Sequence, residues 1–537
     1  RDVEVRAIIR PTEYYARFVK ESCHPDYLRH AYDFERMIDR IYFSPLPVEV
    51  CKLEKDELVQ HDIPYFTTRP GSRDLINRDG RVIQDFYLKP AIELVEERIK
   101  RLSKEEIDTQ LNYIKLSIIA TDVDRIKVRD PEPLSPHTAP KINREQLLHH
   151  AEKIGEEIVD AAVWAGSGKD LQAAWIDLNL NIKGQWQLSS LGVDLYNGMG
   201  GIALFLGYLG HITGEDRFVT ASKAALKSCL EQPVYGNVVS AFYGGYSKLY
   251  PLWKLADIHD ARSAYQEMTN QLLLSLKDAA EKDQFYDYLT GTSGLIVLLL
   301  NMFDERKDER LLDVASRLGD HLVKRAHKSG PYWKWSSALV EKDTFLVGLG
   351  HGASGMTLAL FRLYHATGKD VYREAFEKSF AYERSMYDEQ QQNWIDPRKR
   401  DRLDSCADDT WCQGSIGIGI SRLAMLRLKE DARVRKDLHR AIDISLQTED
   451  QDDSLCHGTS GRVDFLLQAG EFMDDRQLVD MANNLVKNMV GRRNCRYING
   501  LGNHLKIPGM WLGLSGIGYQ LLRMLHPKHV PSVLLLN

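Results

Sequence analysis

The sequence predicts a mainly α chain: an α/α toroid, a double barrel of seven inner and seven outer helices, preceded by a partial α+β segment. Three observations predict it. A Gly-x-x-Gly unit recurs from Gly198 to Gly516 in seven copies, one of them degenerate. Each copy opens an apolar run of about three helical turns, closed by a polar turn. More polar helical stretches alternate with these runs, and a proline-rich stretch separates them from what comes before.

The first segment holds an alternating piece, residues 3–9, that suits a strand, and helical patterns over 26–43 and 91–122. Residues 128–140 carry prolines at 131, 133, 136 and 140. Proline removes a backbone donor and blocks helix, so this stretch is an extended connector. The expected domains are therefore 1–127, a linker over 128–142, and 143–537. After Asn143 the sequence turns helical and repetitive. The glycine units begin at Gly198, Gly244, Gly291, Gly352, Gly414, Gly458 and Gly513, with Gly244-Gly-Tyr-Ser247 the degenerate copy. Their spacings of 46, 47, 61, 62, 44 and 55 leave room for two helices and two loops each. The register persists beyond the glycines. Gly214, Gly368, Glu430 and Asp474 each stand thirteen residues after the second glycine of their unit, opening a polar turn. Leu295, Leu298, Leu299 and Met302 form one buried stripe, and Met356, Ala359, Leu360 and Leu363 repeat it. The stretches 261–280 and 308–327 are more polar and suit an outer layer. The glycines are expected to let backbones approach closely and to leave amide groups pointing at the pore. An open superhelical array of helix pairs is the alternative. The toroid is preferred because the glycine loops, not the outer faces, carry the unusual residues.

Composition narrows the function. The 537 residues are 43% hydrophobic and 27% charged, which excludes a disordered or fibrous chain. A net charge of −6 does not recommend nucleic acid as a partner. No apolar run approaches the ~20 residues of a membrane span. Seven cysteines are few and odd in number for so long a chain, which argues against a disulfide scaffold and for a reducing, cytoplasmic setting. No signal peptide is read, and a first residue of Arg1 is expected of a fragment, a processed product or a trimmed chain.

Three glycine loops carry metal-type ligands: Gly350-His351-Gly352, Trp411-Cys412-Gln413-Gly414 and Leu455-Cys456-His457-Gly458. In the shared frame both cysteines precede their glycine by two and both histidines by one. All four side chains should gather at one end of the ring. Cys412, Cys456 and His457 make a Cys2His set that selects zinc and leaves a fourth tetrahedral position open. A pair of buried structural thiols is the bland alternative. The other five cysteines lack such context and are read as inert. An open zinc site can activate water or an incoming thiol; two thiolate ligands weaken it for water and favour the thiol. His351 is the expected general acid/base. Asp287, four before its glycine, either orients His351 or merely caps a helix. Asp404, Asp408 and Asp409 are read as solvated loop residues, and His149 and His150 as exposed helix residues.

With these motifs in place, the chain resembles the cyclase of lanthipeptide synthetases over about residues 185–525. The resemblance implies an α/α toroid and one zinc ion held by Cys412, Cys456 and His457. It implies addition of a peptide cysteine thiolate to dehydroalanine or dehydrobutyrine, forming lanthionine and methyllanthionine rings. His351 and Asp287 fall where that family keeps its acid/base histidine and its aspartate. Some members place an arginine where Asp408 stands and a tyrosine where Gln413 stands, so those auxiliary roles are not carried over. The first ~127 residues, through Arg6, Arg10-Pro11-Thr12-x-Tyr14, His24-Pro25 and His61-Asp-Ile-Pro64, resemble the end of the dehydratase domain of class II (bifunctional) synthetases. There Arg6 and Thr12 match residues assigned to phosphate elimination. No nucleotide-binding part is read, so ATP and Mg²⁺ are expected only of the complete dehydratase, and this chain alone should not dehydrate. The implied partner is a precursor peptide with a leader and a Ser/Thr/Cys-containing core; the missing dehydratase portion and an exporter are further candidates. The rival readings are a non-catalytic LanC-like toroid that binds thiols or proteins, and a protein prenyltransferase subunit, which the Cys-His pair fits poorly.

Overall fold

The computed structural model describes residues 3–121, 142–180, 185–232, 238–336, 340, 344–399, 406–450, 452–491, 497–502 and 504–537. The proline-rich stretch 128–141, Asp404 and Cys495 lie outside them. The chain forms two compact units, Arg1–Leu111 and Asn112–Asn537.

The first unit joins a four-stranded antiparallel sheet, β1 (Val5–Ala7), β2 (Phe66–Thr68), β3 (Leu75–Asn77) and β4 (Val82–Ile83), in that spatial order. Its helices are α1 (Thr12–Ser22), α2 (Ala31–Ile38), α3 (Val48–Leu58), α4 (Ala91–Arg101) and α5 (Lys104–Ile119), the last running across the division. Pro11, Pro47 and Pro90 stand at the N-caps of α1, α3 and α4, where a fixed φ suits the helix start. The helical pattern over 91–122 resolves into two helices. Leu102 leaves the helical region, and the Ser103 hydroxyl then takes the Glu106 amide as a fresh cap. The buried Glu54 carboxylate is held by Arg10 at 2.7 Å and by the Tyr15 hydroxyl at 2.6 Å.

In the second unit, helices alternate outer and inner in chain order. They are α6 (Arg144–Asp160), α7 (Met199–Thr213), α8 (Asp216–Glu231), α9 (Leu249–Lys254), α10 (Arg262–Ala279), α11 (Thr292–Arg306) and α12 (Glu309–Lys324). They continue with α13 (Ala353–Thr367), α14 (Asp370–Ser385), α15 (Ser415–Leu426), α16 (Ala432–Gln447), α17 (Thr459–Met473), α18 (Arg476–Gly491) and α19 (Leu514–Leu525). The odd-numbered inner helices are buried over most of their length, as the apolar runs predict. The even-numbered ones bury one face only. The last inner helix, α19, packs on both α6 and α7, so the ring is closed. The degenerate copy yields the shortest inner helix, α9, of six residues. Residues 163–190 depart from the expected helical pattern and form two hairpins, Val163–Ala165 with Gln172–Ala174 and Ile176–Leu180 with Trp186–Ser190. Gly166 and Gly168 take positive φ in the first turn, and the Trp175 indole donates to the carbonyl of Ile158 to anchor them.

A belt of hydrogen bonds links the seven glycine loops. Trp511 N donates to Tyr196 O, Tyr196 N to Phe242 O, and the Ser240 hydroxyl to Leu289 O. Leu289 N then donates to Gly350 O, Gly350 N to Cys412 O, Trp411 N to Cys456 O, and Cys456 N to Trp511 O. The circle is complete. The C-terminal tail is largely buried, its carbonyls at Leu534, Leu535, Leu536 and Asn537 taken by Tyr288, Asn301 and Tyr250.

Candidate active site

The paired glycines have a steric cause. A Cβ on Gly414 would lie 1.6 Å from Asp408 O, and one on Gly417 would lie 1.9 Å from Trp411 O. Gly294, Gly355, Gly461 and Gly516 likewise abut the carbonyl six residues earlier, at 1.8–2.4 Å. Each loop folds back on the helix that it starts. One expectation is corrected here: the first helical amides do not point at the pore. They donate into their own loops, Ala353 N to Leu346 O, Ser354 N to Val347 O and Thr459 N to Asp452 O. An amide buried by this fold-back needs a partner, and the returning carbonyls supply it.

The frame places the residue two before each glycine on the hydrogen-bonded belt. Those residues are Tyr196, Phe242, Leu289, Gly350, Cys412, Cys456 and Trp511. Phe242, Trp411, Trp511 and Tyr288 pack edge to face or tilted, with centroids 5.1–6.3 Å apart, and fill the centre of the ring beside the cysteines. Cys412 and Cys456 are buried and His457 is partly exposed. Their two sulfurs and a ring nitrogen all lie within 4.8 Å of one another. This separation would let the two sulfurs and the imidazole hold one tetrahedral metal ion. The three groups already polarise each other. Cys412 is held well below the ordinary thiol range by the Cys456 thiol, with help from His457 and His351. Burial pushes the Cys456 thiol up. Burial alone would lower His457, but the Cys412 thiolate lifts it to about 9.

His351 stands on the neighbouring loop. Its Nδ1 lies 3.0 Å from Asp287 Oδ2, and a carboxylate only accepts, so Nδ1 is the donor. That leaves Nε2 as the unprotonated nitrogen of a neutral ring, and His351 lines the cleft. Burial opposes a charge on His351, but Asp287 outweighs it and raises the imidazole above its ordinary value. Asp287 is fully buried and also accepts from the Thr290 and Gly291 amides. Asp287 therefore pairs with His351 and ties the loop ahead of α11, whereas the helix cap expected of it is absent: Gly291 is the N-cap and no side chain caps it.

Arg6 and Thr12 are both exposed in the first unit. The Arg6 guanidinium lies 5.6 Å from the centroid of the Tyr65 ring. Asp408 is exposed and pairs with Lys399 at 2.7 Å, whereas Asp409 is drawn inward by Asn393, Ser415 and Thr448. His149 is exposed, but His150 is half-buried against the Tyr497 hydroxyl, which corrects its reading as exposed. Two site residues escape the motif reading. The Tyr196 hydroxyl donates to Cys456 Sγ at 3.0 Å. It shares the frame position of the cysteines, and that position was signal enough to find it. Arg398 lines the cleft with His351 and Cys412. It comes from the extra chain that lengthens the spacing between Gly352 and Gly414, where no motif marks it.

A closed ring of paired helices, with two cysteines and a histidine that could hold a metal ion and a carboxylate-backed imidazole at one mouth, defines a class of helical toroid. Residues 189–535 match the family described as lanthionine synthetase C-like protein, and the chain belongs to that family. Residues 1–69 match a domain of unknown function, DUF4135. The chain is similar to the lacticin 481/lactococcin biosynthesis protein LcnDR2 of Lactococcus lactis subsp. lactis, 24% identical over 99% of this chain and 57% of that protein. It therefore spans little more than half of that relative's length. Nisin cyclase shares the fold: TM-score 0.53, 16% identity, 64% of this chain and 92% of that one. No helix among the described residues is long and apolar enough to cross a membrane.

Proposed function

We propose that the helical unit is a zinc-dependent peptide cyclase that adds cysteine thiols to dehydroalanine or dehydrobutyrine and closes lanthionine and methyllanthionine rings. One observation carries this reading: the donor atoms of Cys412, Cys456 and His457 meet within 4.8 Å, with the Asp287-backed His351 lining the same cleft as Cys412. Cys412, Cys456 and His457 would hold the zinc, which when bound supplies a Lewis acid of reduced charge that keeps an incoming thiol deprotonated yet nucleophilic. Asp287 fixes the His351 tautomer, so that Nε2 handles the proton. His351 takes the proton of the incoming thiol and returns one to the α-carbon as the new carbon–sulfur bond forms at the β-carbon. The thiol adds across the double bond with no change of mass. The buried aromatic cluster beside the cysteines keeps water from that side of the site.

The substrate of this reading is a precursor peptide with a leader and a dehydrated, Cys-containing core, acted on in the cytoplasm. The first unit is read as the end of a dehydratase, in which Arg6 and Thr12 assist phosphate elimination; ATP and Mg²⁺ belong to the complete enzyme. The test uses the 537-residue chain with zinc and a pre-dehydrated Cys-containing peptide. Free thiol should disappear at constant peptide mass. Cys412→Ala should lose both zinc and this activity while keeping its helical circular dichroism. Cyclisation retained by Cys412→Ala overturns the assignment.

A further inference from the structure

The cleft that holds His351 and Cys412 is also lined by Asp396, Arg398 and Gln413. Asp396 is 2% exposed, and its buried carboxylate grips Arg398 along one edge, Nε to Oδ1 at 3.0 Å and Nη2 to Oδ2 at 2.6 Å. The Arg398 backbone amide donates to the same carboxylate at 3.0 Å. Gln413, next to Cys412, accepts from Nη2. Among the described residues no hydrogen bond occupies Nη1. The guanidinium, 37% exposed, is thus fixed on one edge and free on the other, on the wall of the cleft. The same clamp holds Arg310 on Asp308 and Arg433 on Asp431 at two helix starts; Arg398 differs in that its carboxylate is buried and its free edge lies on the cleft that Cys412 and His351 line.

Thiol addition to a dehydro residue moves the π electrons toward the adjacent carbonyl. As sulfur bonds the β-carbon, negative charge builds on that carbonyl oxygen until the α-carbon is protonated. A fixed donor at that oxygen stabilises the transition state more than the ground state. We propose that Arg398 is a catalytic residue of the cyclase: its free Nη1 edge donates to the carbonyl oxygen of the dehydro residue, Asp396 and Gln413 position it, and His351 protonates the α-carbon. This inference rests on the cyclase reading and names the group that carries the enolate charge within it.

The test compares wild type, Arg398→Met, Arg398→Lys and Asp396→Asn in the full chain, with zinc and a pre-dehydrated Cys-containing peptide. Removing one such donor is worth about a 10²–10³-fold loss in kcat. Arg398→Met should show a loss of that order with KM changed little, and zinc content and circular dichroism unchanged. Arg398→Lys should recover part of the rate, and Asp396→Asn should lose less than Arg398→Met. Added guanidinium ion should accelerate Arg398→Met but not wild type, an effect that a merely structural role would not produce. Wild-type kcat in a zinc-replete Arg398→Met overturns the proposal and leaves the cyclase reading intact. If Arg398→Met loses zinc or helical signal, Arg398→Lys and the guanidinium arm decide. A wild-type chain that binds no zinc and leaves the thiols untouched overturns the cyclase reading, and this inference with it.

Discussion

His351 shows what one side chain gains from its neighbours. The Asp287 carboxylate orients the ring, raises its basicity and excludes the wrong tautomer, while its own burial is balanced by two backbone amides of the loop. The two residues stand 64 positions apart and meet because both glycine loops share a frame. His351→Asn should keep full zinc content and lose about 10²–10⁴ in kcat, the usual worth of a general acid/base. Asp287→Asn should lose rate as well, and it should also lower stability, because the loop start loses its acceptor. Steady-state kinetics paired with metal analysis separates the two. Both positions were legible because the repeat frame marks them, one before and four before a loop glycine. Arg398 was not, since its role depends on where an insertion between two repeats returns to the ring, and nothing local encodes that return.

The glycine loop followed by its inner helix is the working element. The spacing alone revealed seven such elements, and the apolar runs revealed which helices lie inside. The destination of the first amides was not legible, because it depends on the carbonyls six or seven residues upstream, known only once the loop is built. Gly417→Ala would set a Cβ against Trp411 O, beside Cys412. It should cost about 2–3 kcal/mol as an overpacking change and weaken zinc binding with it. Gly368→Asn, in a left-handed C-cap with φ 69° and open space, should cost well under about 1 kcal/mol. Thermal unfolding with a zinc titration checks both.

The short second element depends on a buried histidine. His259 bonds Ser222 on α8 at 2.8 Å and Tyr265 on α10 at 2.6 Å, and burial lowers it from the usual 6.5 to about 3. Below pH 6.5 the unfolded chain takes up a proton that the folded chain refuses. Stability should therefore fall as pH drops from about 6.5 to 3, by several kcal/mol on the order of five, and His259→Gln should flatten that limb. Urea midpoints across the pH range measure it.

At the scale of the molecule, closure is the decisive feature. An open array of the same repeats would spread the cysteines along a superhelix; the bond from Trp511 to Tyr196 closes the belt and places Cys456 between its two neighbours. The choice of a ring over an array was made in the sequence from the position of unusual residues, and the packing of α19 on α7 bears it out. The tail was not legible as a plug, because a short apolar end reads like any frayed terminus. Its side chains are largely buried and its carbonyls are bonded to two inner elements, by Tyr250 of the second and by Tyr288 and Asn301 of the third. Removing residues 533–537 should therefore lower the melting temperature by several degrees, whereas terminal residues with no such contacts would be lost without effect.

The most direct measurement is zinc K-edge absorption on the purified chain, combined with elemental analysis. The account predicts one zinc per chain with two sulfur neighbours at about 2.3 Å and nitrogen at about 2.0–2.1 Å, reduced to one sulfur or lost in Cys456→Ser. A zinc shell without sulfur, or a metal content that Cys412→Ala and Cys456→Ser leave unchanged, would contradict it.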